Sequence, residues 1–221
     1  MSTMTLPNIP LEPENPAQRL RRMAAAVRVC LHWWGVHRAL TNQQKEEVSA
    51  GYAADSRFLT AGKKLVDTRH EAFRRLTSIR TRLVNYWRGL TLPYVEPGTR
   101  LIRHSDIEAF VHTMEGFRDE LAEGEAGVRV VYPDIKAAAR RSLGGLYSEG
   151  DYPTEIRGLF TLGWDFPSVE PPSYLMRISP EIYEEERRLV AARFDEAVRL
   201  AEQAYANEFS QLLTQIGRAH V

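Results

Sequence analysis

Arg69, Arg74, Arg75, Arg80, Arg82 and Arg88 fall within twenty residues of one another, and such a density of guanidinium groups is the chemistry that receives a polyanion. Each guanidinium presents a rigid fork of N–H donors that matches phosphate oxygens, so a nucleic-acid backbone is the natural ligand for this stretch. From Arg57 to Arg103 eleven basic residues oppose three acids, a local charge of +8. The next stretch reverses the sign: between Asp106 and Glu125 seven acids face one base, giving −6. Two such segments could instead lie side by side and neutralise each other, within one chain or across a dimer. The whole chain carries 29 basic and 29 acidic residues, a balance that favours neutralisation over nucleic-acid binding. Neither a G-x-x-x-x-G-K-S/T nor a G-x-G-x-x-G phosphate loop is present.

Other constellations are thinner. Glu108, His112 and Glu115 stand at i, i+4 and i+7, which on a helix would bring three potential metal ligands to one face. Carboxylate-bridged metal bundles use that geometry but need matching Glu and Glu-x-x-His pairs on other helices. No such pair is found, and a solvated polar face is expected. Cys30 and His32 are two apart, which in a strand leaves the imidazole no approach to the sulfur, so Cys30 is read as a small buried hydrophobe. His32 and His37 flank Trp33-Trp34-Gly35 and would lie on opposite faces of a strand, poorly placed to share a metal. Glu184-Glu185-Glu186-Arg187-Arg188 reads as a solvated helix surface. Asp151-Tyr152-Pro153 and Trp164-Asp165-Phe166-Pro167 are aromatic, proline-stiffened loops in which Tyr152, Trp164 and Phe166 could dock a partner. Trp164 and Phe166 could equally pin a sheet to helices. No residue is assigned a catalytic, cofactor-binding or metal role, and no cofactor is expected.

Helices must carry most of these residues. Thr41-Asn42-Gln43-Gln44, Thr68-Arg69-His70-Glu71 and Ser105-Asp106-Ile107-Glu108 have the form of capping boxes. In such a box the first hydroxyl accepts from the N3 amide while the N3 side chain reaches back. Ser179-Pro180-Glu181 supplies an N-cap serine, proline at N1 and an acid in the first turn. Apolar residues then recur in steps of three and four. Phe73, Leu76, Ile79, Leu83, Trp87 and Leu90 follow the second box, and Ile107, Phe110, Met114, Phe117 and Leu121 the third. Val190, Phe194, Ala197, Ala201, Tyr205, Phe209 and Leu212 follow Ser179. From Pro180 to Gln215 this last helix would run roughly 54 Å, a length suited to a helical hairpin or coiled-coil arm. Pro133 is expected to kink the third helix, which continues to about Ser142 and closes at Gly144-Gly145. Ile156 to Phe166 alternates with period two up to Pro167 and predicts a strand. Val27, Val29, Leu31 and Trp33 alternate as well, while Leu20, Met23, Val27, Leu31 and Trp34 fit a helix, so this segment is open to either form. A short strand is expected at 99–103, after an apolar-tipped turn at 92–98.

These elements predict an α+β fold, predominantly α, in which long amphipathic helices accompany a small antiparallel sheet. Residues 1–16, with Pro7, Pro10, Pro13 and Pro16, read as a disordered leader, and 17–215 as a single mostly helical domain. The last six residues, Ile216-Gly217-Arg218-Ala219-His220-Val221, match one reading frame of a common sequencing adapter. The apolar stripe is still running at Leu212 and Leu213 when they begin, so the native chain is expected to continue past Gln215. No apolar run approaches the roughly 20 residues that span a bilayer, and no basic stretch followed by an apolar one marks a secretion signal. The lone Cys30 permits neither an internal disulfide nor a cysteine-based zinc site. A cytoplasmic protein with no membrane association is expected.

Asn85-Tyr86-Trp87-Arg88 through Leu90-Thr91-Leu92-Pro93-Tyr94, Gly98-Thr99-Arg100-Leu101-Ile102, and Phe194 to Glu202 resemble a bacterial family of unknown function. That family is found in planctomycetes, with relatives in phages and integrative elements, and the resemblance covers the chain from about Met23 to Gln215. It implies no activity and carries over no site residue. It does imply a partner, because relatives are often encoded near MoxR-type AAA+ ATPases and von Willebrand A-type proteins. The expected function is a non-enzymatic helical scaffold or adaptor acting through protein–protein contacts or self-association. The alternative is nucleic-acid binding by the arginine-rich 69–88 helix, and a third reading is a metal-dependent enzyme using Glu108, His112 and Glu115.

Overall fold

The computed structural model describes residues 15–219, with side chains as far as Thr214. Asn15 caps helix α1 (Pro16–Met23): its Oδ1 accepts the Gln18 N–H at 2.9 Å, and Gln18 Oε1 accepts the Asn15 N–H at 3.2 Å. This reciprocal box, with an amide in place of the hydroxyl, makes Asn15 and Pro16 part of a helix start; residues 1–14 of the expected leader lie outside the described residues. The chain passes from Met23 directly into strand β1 (Ala24–Trp33), so the segment open to either form is a helix followed by a strand. Strands β2 (His37–Ala39) and β3 (Gly62–Lys64) form an antiparallel ribbon with His37 opposite Lys64. Between them helix α2 (Asn42–Ala50) starts on its expected box, Thr41 Oγ1 accepting from Gln44 N at 3.2 Å and Gln44 Oε1 from Thr41 N at 3.1 Å.

Two expected boxes give way to other chemistry. Before helix α3 (Glu71–Leu90) the Asp67 carboxylate accepts the Arg69 N–H at 2.9 Å, and His70 Nδ1 accepts the Ala72 N–H at 3.3 Å. A carboxylate two residues ahead of an amide offers it a local turn in place of a helix, so the cap moves from Thr68 to His70 and Arg69 falls outside α3. Before helix α4 (Ile107–Leu143) residues His104–Asp106 wind a 3₁₀ turn, and Ser105 Oγ donates to Asp106 Oδ1 at 3.1 Å. Helix α4 runs as one element through Gly124, Gly127 and Pro133, and it ends where Gly144 takes φ +51°. That left-handed position is the usual helix stop.

Strands β4 (Leu92–Pro93), β5 (Thr99–Arg103) and β6 (Phe160–Asp165) complete a second sheet, in the order β4-β5-β1-β6. β1 and β5 pair antiparallel from Ala24↔Arg103 to Arg28↔Thr99. The strand expected from Ile156 starts only at Phe160, because the Glu125 carboxylate accepts the N–H groups of Gly158, Leu159 and Phe160 at 3.1, 3.0 and 3.1 Å. Gly158, at φ +78°, makes the turn that presents them. Helix α5 (Tyr174–Ile178) leads to helix α6 (Pro180–Ala219), which begins as expected at Ser179, whose Oγ accepts the Ile182 N–H at 3.4 Å. At 40 residues α6 is about 60 Å long. The backbone of 216–219 belongs to it, and His220 and Val221 lie outside the described residues.

The molecule is thus a predominantly helical α+β fold with a small antiparallel sheet. Its chain forms two compact units that alternate along the sequence. The first gathers the segment up to Val29, Trp87–Ala109 and the chain from Trp164 onward; the second gathers Cys30–Tyr86 and Phe110–Gly163. The core of the first joins Ala17, Ala24, Ala26, Leu101, Ala197 and Phe194, with the Tyr94 and Phe194 rings 5.7 Å apart. Four alanines in that set let α1 and α6 lie close to the strands. In the second unit the α3 and α4 segments form an antiparallel hairpin: Arg75 reaches Glu123, Arg82 reaches Glu120, and Tyr86 packs on Phe117 and Phe110. The crossing is tightest at Gly124, where an added methyl would stand 2.7 Å from Leu76 Cδ2. Leu76, Ile79, Leu83, Met114, Leu121 and Val128 are buried between or beside these helices.

Candidate protein-interaction surface

The six arginines of the basic stretch do not act together. Arg75 pairs with Glu123 at 2.9 Å, and Arg82 pairs with Glu120 while its guanidinium lies 5.5 Å from the Phe117 ring centroid. These two are neutralised by the acidic helix, as mutual neutralisation requires. Both pairs are solvated, so each adds only about 0–1 kcal/mol; the apolar seam holds the hairpin. Arg80 lies over the Trp33 ring at 5.2 Å, and Arg69 is bound to Asp67. Arg74 and Arg88 have no carboxylate within ion-pair distance among the described residues.

Other expectations are relocated by burial. Tyr152 cannot serve as a docking residue in this structure: it is buried, donates its hydroxyl to Leu65 O at 2.8 Å and stacks on Tyr147. Burial pushes its hydroxyl up to about 12. Trp164 is half-buried at the end of β6, and Phe166 is exposed just beyond. Cys30, expected inside, is exposed. The β1 alternation turns Arg28, Cys30 and His32 outward together, because from Val27 onward the covered face is that of Val27, Val29, Leu31 and Trp33. Glu108, His112 and Glu115 are all exposed, and no metal-capable cluster of side chains occurs among the described residues.

The surface that stands out lies in the first unit. A groove of about 530 Å³ has Leu20, Leu101, Ala201, Ala204 and Tyr205 as apolar lining, and Arg88, Arg100 and Arg103 as basic lining, with Glu208 the one acid. Arg103 is paired with Asp106 at 2.7 Å. Arg100 donates to Thr91 Oγ1, Thr91 O and Arg88 O at 2.6, 2.7 and 3.3 Å, and its guanidinium lies 5.9 Å from the Trp87 ring centroid. It therefore caps the C-terminus of α3 with neutral acceptors. Burial, then the nearby Arg88 charge, push its guanidinium below the ordinary value. From this groove α6 continues outward. Ala201 is the last buried residue among its described side chains, and every one from Glu202 to Thr214 is exposed. Tyr205, Phe209, Leu212 and Leu213 are 65, 64, 51 and 55% exposed. Their spacing of i, i+4, i+7 and i+8 puts them on one side of the helix. In this stretch the charged residues are Glu202 and Glu208, both acidic.

Sequence reasoning found the stripe on α6 but not that its second half lies open, nor the groove beside it. The signal available was charge: Arg88, Arg100 and Arg103 lie close in sequence with Glu96 the only acid between them, yet which of them shares a wall with α6 is set by tertiary contact. Comparison with protein-family models, with curated proteins and with solved structures finds no match to this chain.

Proposed function

We propose that this protein is a non-enzymatic helical adaptor that captures an acidic amphipathic helix of another protein along α6. The observation that carries this reading is the run of exposed apolar side chains from Tyr205 to Leu213, continuous along α6 with a groove that has basic residues in its wall. Helix-in-groove recognition reads anchors at i, i+3/i+4 and i+7, the spacing these residues offer. Among the described residues Arg88 has no carboxylate within ion-pair distance and Arg100 is held by the neutral acceptors of Thr91 and Arg88, so the complementary partner brings the carboxylate. The resemblance to a family encoded beside MoxR-type AAA+ ATPases adds such an ATPase as one source of that helix. Nucleic-acid binding through the arginine-rich stretch is the weaker reading, because Arg75 and Arg82 are spent on Glu123 and Glu120 and Arg80 lies over Trp33.

The test is photo-crosslinking of the full chain in its host cell, with benzoylphenylalanine in place of Phe209. The expected product is a crosslink to an acidic, amphipathic helical segment of a different protein, reduced at least fivefold by Arg88→Glu. Crosslinks to a second copy of this chain, to nucleic acid, or to nothing above background would each overturn the reading.

A further inference from the structure

The second unit holds a concavity of about 590 Å³ between the turn that leads from β3 into α3 and the last turns of α4. Its volume is within the range of about 300–1,000 Å³ typical of small-molecule sites. The floor is apolar: Leu65, Val66, Ile135 and Ala139 are each more than nine-tenths buried. The rim is charged, and its groups sort by whether they are already used. Asp67 is taken by Arg69, whose backbone N–H and guanidinium both bond to it. His70 Nδ1 accepts from Ala72 N, which assigns the proton of a neutral ring to Nε2 and leaves it a donor. Among the described residues the side chains of Asp134 and Arg141 have no bonded partner, and Lys64 has none beyond its through-space attraction to Asp67. Lys64, Arg141 and an imidazole N–H therefore line the rim, with Asp134 the carboxylate outside the Asp67–Arg69 pair, around an apolar floor.

We infer that this concavity binds a small organic anion with an aliphatic body, the chain against Val66, Ile135 and Ala139 and the anionic head between Lys64 and Arg141. An apolar wall rewards a hydrocarbon body by area removed from water. A rim with surplus positive charge selects the head, since an uncharged analogue leaves the cations as they were. This inference does not rest on the adaptor reading, because it concerns residues of the second unit alone.

The test is an amide chemical-shift titration of the full ¹⁵N-labelled chain with octanoate and, separately, octanol. Octanoate is expected to shift the amides of 64–70 and 135–142 and to bind at least tenfold more tightly than octanol. The Lys64→Glu, Arg141→Glu double variant changes two exposed side chains, keeps the fold as judged by its unchanged remaining spectrum, and is expected to remove the preference for the anion. The inference is overturned by the absence of shifts in those segments at millimolar octanoate, by equal affinity for octanol, or by shifts confined to Tyr205–Leu213.

Discussion

Helices α4 and α6 are of similar length, 37 and 40 residues, and both carry apolar residues at helical spacing, yet one is covered along its course and the other is not. On α4 the buried positions run from Phe110 through Met114, Leu121, Val128 and Ile135 to Ala139. Among the described side chains of α6 they stop at Ala201, twenty-one residues after the start. The polar sides differ as well. Helix α4 holds neighbouring chain through Glu125 on three successive amides, Tyr132 on Pro153 O at 2.8 Å, and Lys136 and Arg140 on Glu149. Among the described side chains of the second half of α6 the bond found is local, Thr214 Oγ1 donating to Ser210 O. Periodicity thus declares that a helix has a face to cover; only tertiary partners decide whether the same chain covers it.

The contrast can be broken first at its aromatic residues. Phe110→Ala on α4 is expected to cost about 3–5 kcal/mol, because Phe110 is fully buried and stacks on Tyr86. Phe209→Ala on α6 is expected to stay within about 0.5 kcal/mol. Urea denaturation of the two variants measures both; equal losses would mean that α6 is covered in the isolated protein.

A smaller effect tests the polar grip of α4. Glu125→Ala removes the acceptor of three N–H groups, two of them in part-buried bonds, and is expected to cost about 1–3 kcal/mol. Glu125→Gln, which keeps one carbonyl oxygen, should recover part of it. If Glu125→Ala unfolds at the same urea concentration as the parent, the carboxylate does not fix the turn before β6.

The smallest effect is a local one with pH. The Lys136 ammonium, then the Tyr147 hydroxyl, hold the Glu149 carboxyl down at about 2 from an ordinary 4.5. A carboxylate with a depressed value contributes stability above its ordinary value and loses it as protons return. Amide exchange of residues 147–151 is therefore expected to speed up, after correction for intrinsic rates, as pH falls from 4.5 towards 2. Glu149→Gln should show the faster exchange already at neutral pH. At 202–214 on α6, where no such carboxylate clamp is found among the described side chains, no matching step is expected.

Much of the fold was legible in local sequence. The Thr41 box and the Ser179-Pro180 start mark helix ends as read, and the apolar steps name buried residues of α3 from Phe73 to Leu83, of α4 from Phe110 to Leu121 and of α6 from Val190 to Ala201, beyond which Tyr205, Phe209 and Leu212 are exposed. The Thr68 and Ser105 boxes failed because Asp67 and Asp106, one residue away from each, offered competing acceptors. Asn15–Gln18 was missed because an asparagine can open the same reciprocal box as a hydroxyl. Long-range pairings left no trace in spacing. Lys63 is buried, with Nζ 2.6 Å from Asp151 Oδ2 and 2.7 Å from Leu146 O, and nothing local distinguishes it from exposed Lys64 except one place in the strand alternation. The candidate surface was half legible for the same reason: the stripe on α6 is local information, whereas the groove and the open half of the helix depend on what other segments cover.

The alternation of the two units along the chain bears on how the protein is made. The segments of the second unit end at Gly163, so in a chain emerging from the ribosome they are all made while α6 is still unsynthesised. The first unit must wait, because Ala17, Leu101 and Phe194 of its core come from three separate segments. Until α6 arrives, α1 and the β4–β5 hairpin have no Phe194 to pack on. Folding of this protein during synthesis is therefore expected to be ordered from the middle of the gene outward, and neither unit could be passed on as a single uninterrupted stretch of coding sequence.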